Sequence, residues 1–219
     1  MLRKAPRGAV FNPWWQVDAD NDLGRLAPRI RREQLRAYFS ERIGKARLAL
    51  VGEALSYRGG HFTGIAMTSE RILLGGMTGA GIEPRHVFSG LPPRRTSKPQ
   101  KNPRGFAEPT ASMIWSALVE LGVPGDRFVL WNAFPWHSFN PRSGMLSNRT
   151  PTKAELAAGT PVSRWVGWRS RRSTACLPRS NVCGIRQVAA PCFSASRSGQ
   201  SFAGCEGVNR DAAESQQQT

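Results

Sequence analysis

The sequence is poor in acidic residues and has no long apolar run. Asp and Glu number 15 against 31 Lys and Arg, which leaves a formal net charge of +16 and a pI near 11.3. A positive excess of this size attracts polyanions through counterion release, so nucleic acid is the leading class of partner. No stretch approaches the roughly 18 consecutive uncharged apolar residues of a membrane-spanning helix. The sequence therefore predicts no membrane span.

Cysteine is missing from most of the chain. The four cysteines come late and are separated by six, eight and twelve residues, at Cys176, Cys183, Cys192 and Cys205. Zinc and iron–sulfur sites typically begin with two cysteines only two to four positions apart, so free thiols and no metal or cofactor are expected. The basic N-terminus lacks the apolar segment of a secretory signal, which favours a cytoplasmic location. No heptad pattern is present, so a monomer is expected.

What is present fits an α/β fold. At 219 residues the chain is long enough for one ordinary α/β domain with a tail. Two short, almost wholly apolar runs, 46–54 and 127–135, predict buried parallel strands. Seven tryptophans and 40% apolar residues can supply a core.

Amphipathic segments and loop signals separate these strands. The segment 28–43 predicts a helix with Leu35, Tyr38, Phe39 and Ile43 inside and arginines on the other face. A second helix is predicted over 109–121, with Met113, Ile114, Ala117, Leu118 and Leu121 on one face. Ser69 is a candidate cap for a short helix through Leu74, and Thr150 and Gly159 are predicted to bound another. The segment 85–104 has Lys, Arg and Pro but no acid, and predicts a mobile basic loop.

Two predicted strand ends carry candidate chemistry, because open α/β sheets bind ligands beyond the carboxyl ends of their strands. After the first strand, Gly52 permits close backbone approach, Glu53 offers a carboxylate that could position water, and Arg58 could hold a phosphate. A plain tight turn with solvated charges is the alternative. On the second strand, Asn132 has a paired donor and acceptor suited to reading a base edge, or serves as a structural amide.

These segments resemble the uracil-DNA glycosylase superfamily, in particular bacterial members with a Gly-Glu-Ala-Pro-Gly motif. The resemblance covers roughly residues 9–160 and is carried by six motifs in the family order. They are the segments 11–14, 51–54, 62–70, 108–111, 130–135 and 147–152 with Glu155.

The resemblance implies a three-layer α/β/α domain with a short central parallel sheet. It would hydrolyse the N-glycosidic bond of uracil, or a related deaminated base, flipped out of DNA. By the match, Asn132 reads the base, and Gly52 and Glu53 form the floor beside the sugar and the attacking water. Met67 occupies the position that stacks on the base, and Ala54 is a further substrate-binding position. Phosphates would be held by Arg58 and by the basic loop. Its candidates are Arg94, Arg95, Lys98 and Lys101. Asn148 and Arg149 would stabilise a loop of the pocket.

The sequence also departs from the family pattern. Ala54 stands where well-studied members have a water-orienting Asp, and Leu55 and Ser56 replace the motif's Pro and Gly. The smaller Ser56 predicts looser discrimination against 5-substituted uracils. Met67 replaces a base-stacking Phe, and a thioether stacks less well than a ring.

The family's closing His-Pro-Ser-like loop is missing. The three histidines are His61, His86 and His137, and none follows residue 137. His137 is near enough in sequence to reach the pocket, although a structural role is the plainer expectation. From residue 161 acids vanish over 45 residues and all periodicity is lost. The division is therefore 1–160, a glycosylase-like domain, and 161–219, an aberrant region that a shift of the reading frame would explain.

Three functional hypotheses remain open at this point. The first is an active or weakly active glycosylase on uracil-containing DNA. The second is a catalytically impaired homologue that binds DNA without excising a base. The third is a general basic RNA- or ribosome-associated protein, which does not explain the six ordered motifs.

Overall fold

A computed structural model describes residues 3–164 and 186–189. Helices and a few strands form a mixed α/β arrangement. In chain order the elements are β1 Val10–Phe11, α1 Ala27–Ser40, β2 Leu48–Ala54, α2 Gly60–Thr63, α3 Glu70–Leu73, α4 Pro84–Val87, α5 Pro109–Glu120, β3 Phe128–Phe134, β4 His137–Ser138, α6 Lys153–Arg164 and β5 Arg186–Ala189. Among the described helices, none has the length and apolar character needed to cross a bilayer.

The strands form two small sheets. In the larger sheet β2 lies in the middle, parallel to β3 and antiparallel to β5. Both predicted apolar runs are therefore strands, and their parallel pairing is confirmed. β1 and β4 form a separate antiparallel pair. β5 falls in the region expected to be aberrant, whereas 165–185 and 190–219 lie outside the described residues.

Helix α1 has the predicted position but a different buried face. Leu35 and Tyr38 are buried, and the Tyr38 hydroxyl accepts a hydrogen bond from the Leu130 amide of β3. Ile43 is 77% exposed because the helix ends at Ser40, before reaching it. Arg31, expected on the outer face, is fully buried because it pairs with Asp22 and donates to the Pro13 carbonyl.

Helix α5 is also where the sequence places it, with a shifted face. The buried positions are Ala111, Ile114, Trp115 and Leu118. Trp115 determines this phase because its ring packs edge-on against Phe128 of β3. The expected inward residues Met113, Ala117 and Leu121 are exposed instead. The helical periodicity was predicted correctly, but the buried face of α5 is shifted by one residue along the sequence.

The caps of the shorter helices differ from expectation. Ser69 occupies the N-cap position of α3, but its side chain makes no capping hydrogen bond. At α6 the cap is Thr152, not Thr150. The Thr152 hydroxyl accepts from the Glu155 amide while the Glu155 carboxylate accepts from the Thr152 amide, which is a capping box. The helix continues through the predicted stop at Gly159 to Arg164.

The segment 85–104 contains no further helix and no strand beyond α4, which confirms the predicted loop. It begins within α4 and is then tied to the body of the protein, where Thr96 and Ser97 are fully buried. The Glu70 carboxylate accepts both of their backbone N–H groups, at 2.8 and 3.0 Å, and the Ser97 hydroxyl as well. An acid from a distant segment supplies the anchor, which local composition could not reveal.

Candidate active site

The carboxyl ends of β2 and β3 bring three predicted site residues together. Gly52 and Asn132 are register partners, so their side-chain directions share one face of the sheet. A Cβ atom on Gly52 would lie 2.6 Å from Asn132 Oδ1 and 3.2 Å from Met67 Sδ. Such distances leave no room for a side chain. Glycine at this position therefore allows the amide and the thioether to converge.

The Asn132 amide is buried without a hydrogen-bond partner. The residue is 1% exposed, and neither Oδ1 nor Nδ2 bonds to any other residue that the structure describes. Leaving a buried amide unsatisfied costs about 1–3 kcal/mol. An amide kept at that cost, with donor and acceptor both free, is suited to a ligand carrying the complementary pair.

Met67 is held in a left-handed backbone conformation, with φ of +46°. Its carbonyl accepts from the Trp115 indole N–H at 3.1 Å, and Thr63 Oγ1 donates to the neighbouring Thr68 carbonyl at 2.8 Å. Non-glycine residues rarely adopt this conformation, and they do so where the surroundings enforce it. The contacts therefore fix the thioether against the Gly52–Asn132 pair.

Glu53 does not join this cluster. Side chains alternate along a strand, so Glu53 leaves β2 on the face opposite Gly52, and it is exposed. Its role beside the sugar and the attacking water stays a prediction. Ala54, paired with Phe134, returns to the Gly52 face and presents only a methyl group.

The side-chain amide of Asn148 binds residues 56 and 57, in the loop that follows β2, and this loop forms the rim of the candidate site. Asn148 Oδ1 accepts from the Tyr57 backbone N–H at 3.1 Å, and its Nδ2 donates to Ser56 Oγ at 3.4 Å. Arg149 donates from both Nη atoms to the Glu155 carboxylate. Both residues therefore support the loop, as the resemblance implied.

The sequence did not reveal a buried chain of polar contacts near these loops. His137 Nε2 donates to the Ser147 carbonyl at 2.7 Å, and the Nδ1 atoms of His61 and His137 lie 2.9 Å apart. His61 Nε2 in turn lies 3.1 Å from Asp18 Oδ2. Burial lowers the pKa of His61 to about 3 and that of His137 to about 4. His137 thus has a structural role, as the plainer expectation had it.

Glu108 is a second feature that the sequence did not reveal. Its Oε2 is buried without a partner among the described residues, and a Cβ atom on Gly59 would collide with it at 1.8 Å. Burial alone raises the pKa of Glu108 to about 7. Its place before Pro109 in a helix-start pattern gave no sign of this burial.

Most of the expected phosphate contacts are engaged within the protein. Arg94 pairs with Glu33, and Lys98 Nζ donates to the Ala19 and Asp20 carbonyls. Arg95 donates to three backbone carbonyls in its own segment, those of Ser97, Asn102 and Pro103. Lys101 is exposed. Arg58 is also exposed and pairs with no carboxylate in the described part of the chain.

No metal site emerges from the described residues. Within 3–164 and 186–189, no three His, Cys, Asp or Glu side chains converge as metal ligands would. Comparison with known proteins adds nothing further, since no protein-family model and no curated protein matches the chain.

Proposed function

We propose that this protein is a glycosylase of the uracil-DNA glycosylase type, which hydrolyses the N-glycosidic bond of uracil or a related deaminated base in DNA. The observation that carries the proposal is the buried, unpartnered Asn132 amide beside Gly52 and Met67. The six ordered sequence motifs support it. A three-layer α/β/α architecture around the β2–β3 pair is part of the same proposal.

The amide can select uracil by hydrogen-bond polarity. Asn132 Oδ1 would accept from uracil N3–H while Nδ2 donates to O4. Cytosine carries an acceptor at N3 and a donor at the exocyclic amine, so the same amide would meet it donor to donor and acceptor to acceptor. Polar sites of this kind reject mismatched partners strongly because buried groups are left unpaired. The base has to leave the duplex to reach a buried amide.

The described residues offer limited help with bond cleavage. None of the three imidazoles hydrogen-bonds to Asn132: His61 and His137 contact each other, and His86 Nδ1 accepts from the Glu83 amide. Without a donor to the departing uracil anion, the reaction loses about 10²–10³ in rate. Slow base release is therefore the expected activity.

Base release from a uracil-containing oligonucleotide tests the proposal. The wild type is expected to release uracil slowly, and Asn132→Ala is expected to remove the preference over undamaged DNA. Asn140→Ala is the matched control, because the Asn140 amide oxygen accepts a local hydrogen bond from the Arg142 amide. Release that is absent in the wild type, or equal in both variants, would contradict the proposal.

A DNA-binding homologue without base excision is the second candidate. The exposed Glu53 and the lack of an imidazole hydrogen-bonded to Asn132 favour it. In that case competition binding would show a preference for uracil-containing DNA that disappears in Asn132→Ala, while no base is released at any enzyme concentration.

A further inference from the structure

A cleft of about 450 Å³ opens beside the rim of the candidate site. The residues that line it are basic, amide or apolar, and none is acidic. They include Tyr57, Arg58, Arg71, Asn102, Phe106 and Leu146. The backbone N–H of Tyr57 donates to Asn148 Oδ1. Tyr57 therefore belongs both to the rim of the candidate site and to the lining of the cleft.

The two arginines of the cleft lack carboxylate partners. No described acid lies within ion-pair distance of Arg58 or Arg71, in contrast to Arg31, Arg94 and Arg149. Of the guanidinium nitrogens of Arg58, only Nε makes a hydrogen bond to a described residue, which it donates to the Tyr57 hydroxyl at 2.8 Å. Arg71 donates from Nη2 to the Gly105 carbonyl at 3.3 Å, and its buried Nε has no partner among the described residues.

The walls between the arginines are apolar and partly rigid. Phe106 stacks on Phe62 with ring centroids 4.3 Å apart, which fixes its orientation. Leu146, on the facing loop, is 36% exposed. A ligand that fits these walls combines negative charge with flat apolar faces, and nucleotides have both.

We propose that this cleft holds the DNA strand next to the flipped nucleotide, with Arg58 and Arg71 on its phosphates. The inference rests on the proposed function and deepens it by naming the surface that grips the backbone. Unpaired guanidinium groups bind phosphate at little internal cost, whereas Arg94 would first have to leave Glu33.

Binding of an undamaged, labelled DNA duplex at several salt concentrations tests the cleft. Arg58→Gln is expected to weaken binding about tenfold near 0.1 M salt and to reduce the log–log salt slope by about one unit, because one phosphate contact is lost. Adding Arg71→Gln should double both changes on the logarithmic scale. Arg47→Gln is the matched control, since Arg47 is exposed and precedes β2, at the opposite end of the sheet.

The outcomes separate the cleft from the catalytic proposal. Arg58 is exposed, so its single variant should fold normally even if the double variant does not. Equal affinity and slope in Arg58→Gln and Arg47→Gln would overturn the cleft, as would a wild type that binds no DNA. Uracil release measured at saturating DNA judges the glycosylase proposal independently. If Arg58→Gln binds DNA more weakly and the wild type releases no uracil, the cleft proposal is supported and the glycosylase proposal is not.

Discussion

At the scale of single residues, the buried and unpartnered amide of Asn132 lowers the stability of the fold. Asn132→Leu should raise the free energy of unfolding by about 1–2 kcal/mol, because it replaces an unpartnered buried amide with an apolar group of similar size. Thermal unfolding should show a midpoint higher by a few degrees. The same variant should lose its preference for uracil-containing DNA.

Asn21→Leu provides the control for this stability prediction. Asn21 is also buried, but its Nδ2 donates to Asp18 Oδ2 at 2.8 Å, so the same substitution should destabilise. A loss of stability in Asn132→Leu matching that in Asn21→Leu would mean that the Asn132 amide is bonded after all.

The buried histidines predict a pH dependence of stability. Their folded-state pKa values, about 3 for His61 and about 4 for His137, lie below the unfolded value near 6.5. The unfolded chain therefore binds protons first as pH falls. The contribution of the two neutral rings to the free energy of unfolding is complete above about pH 6.5. As the pH falls towards 4, this contribution is lost by up to about 1.4 kcal/mol per pH unit for each ring.

Urea unfolding at several pH values measures this effect. The readout is the difference in slope between wild type and the double variant His61→Gln/His137→Gln. Glu108, whose pKa burial raises to about 7, titrates in the opposite direction and cancels in that difference. Parallel curves for wild type and the double variant would count against neutral buried rings.

Sequence reasoning placed Gly52 and Asn132 at neighbouring strand ends, and the strand pairing brings them together. Gly52 and Asn132 follow from apolar runs whose carboxyl ends meet in a parallel sheet. Met67 was located through the family motif. The direction of Glu53, away from the Gly52 face, follows from the alternation of side chains along β2 and could also have been read from the sequence. Glu108 and His61 were missed because their burial depends on contacts with distant segments.

At the scale of elements, one buried carboxylate holds a long segment in place. Glu70→Gln should lower the free energy of unfolding by about 2–3 kcal/mol, because charged hydrogen bonds to Thr96 and Ser97 become weaker or are lost. Limited proteolysis should then cut within 94–101 more rapidly than in the wild type.

Glu33→Gln is the matched control for that prediction. Glu33 pairs with Arg94 from the same segment but at the surface, where such pairs contribute about 0–1 kcal/mol. Similar proteolysis of both variants would show that Glu70 is not the anchor.

The sequence predicted the positions of the helices and strands better than it predicted which faces they bury. Period and caps placed α1 and α5 to within a few residues. Their buried faces followed tertiary partners, namely the Asp22 carboxylate for Arg31 and the Phe128 ring for Trp115. A basic, proline-containing segment was predicted as a loop, and it is anchored by an acid about 26 residues away in sequence.

At the scale of the whole molecule, the prediction that residues beyond 160 come from a shifted reading frame is still open. One of the other two frames of the gene is expected to encode an apolar strand followed by a His-Pro-Ser-like segment. A chain carrying that segment should release uracil about 10²–10³-fold faster, because a donor then stabilises the departing anion. Sequencing and translating the gene decides the first point, and single-turnover release decides the second. If neither frame gives such a segment, the idea fails.

The strand pairing also has a consequence for how the chain folds. Leu48 pairs with Phe128, Val10 with Ser138, and Leu48 on its other edge with Ala189. Strands β1 and β2 therefore each wait for a partner at least 80 residues further along the chain. Contacts this distant require large loops to close before they stabilise anything, which slows folding. During synthesis the apolar β2 segment stays unpaired until β3 has left the ribosome, and over that interval it is open to association with other chains.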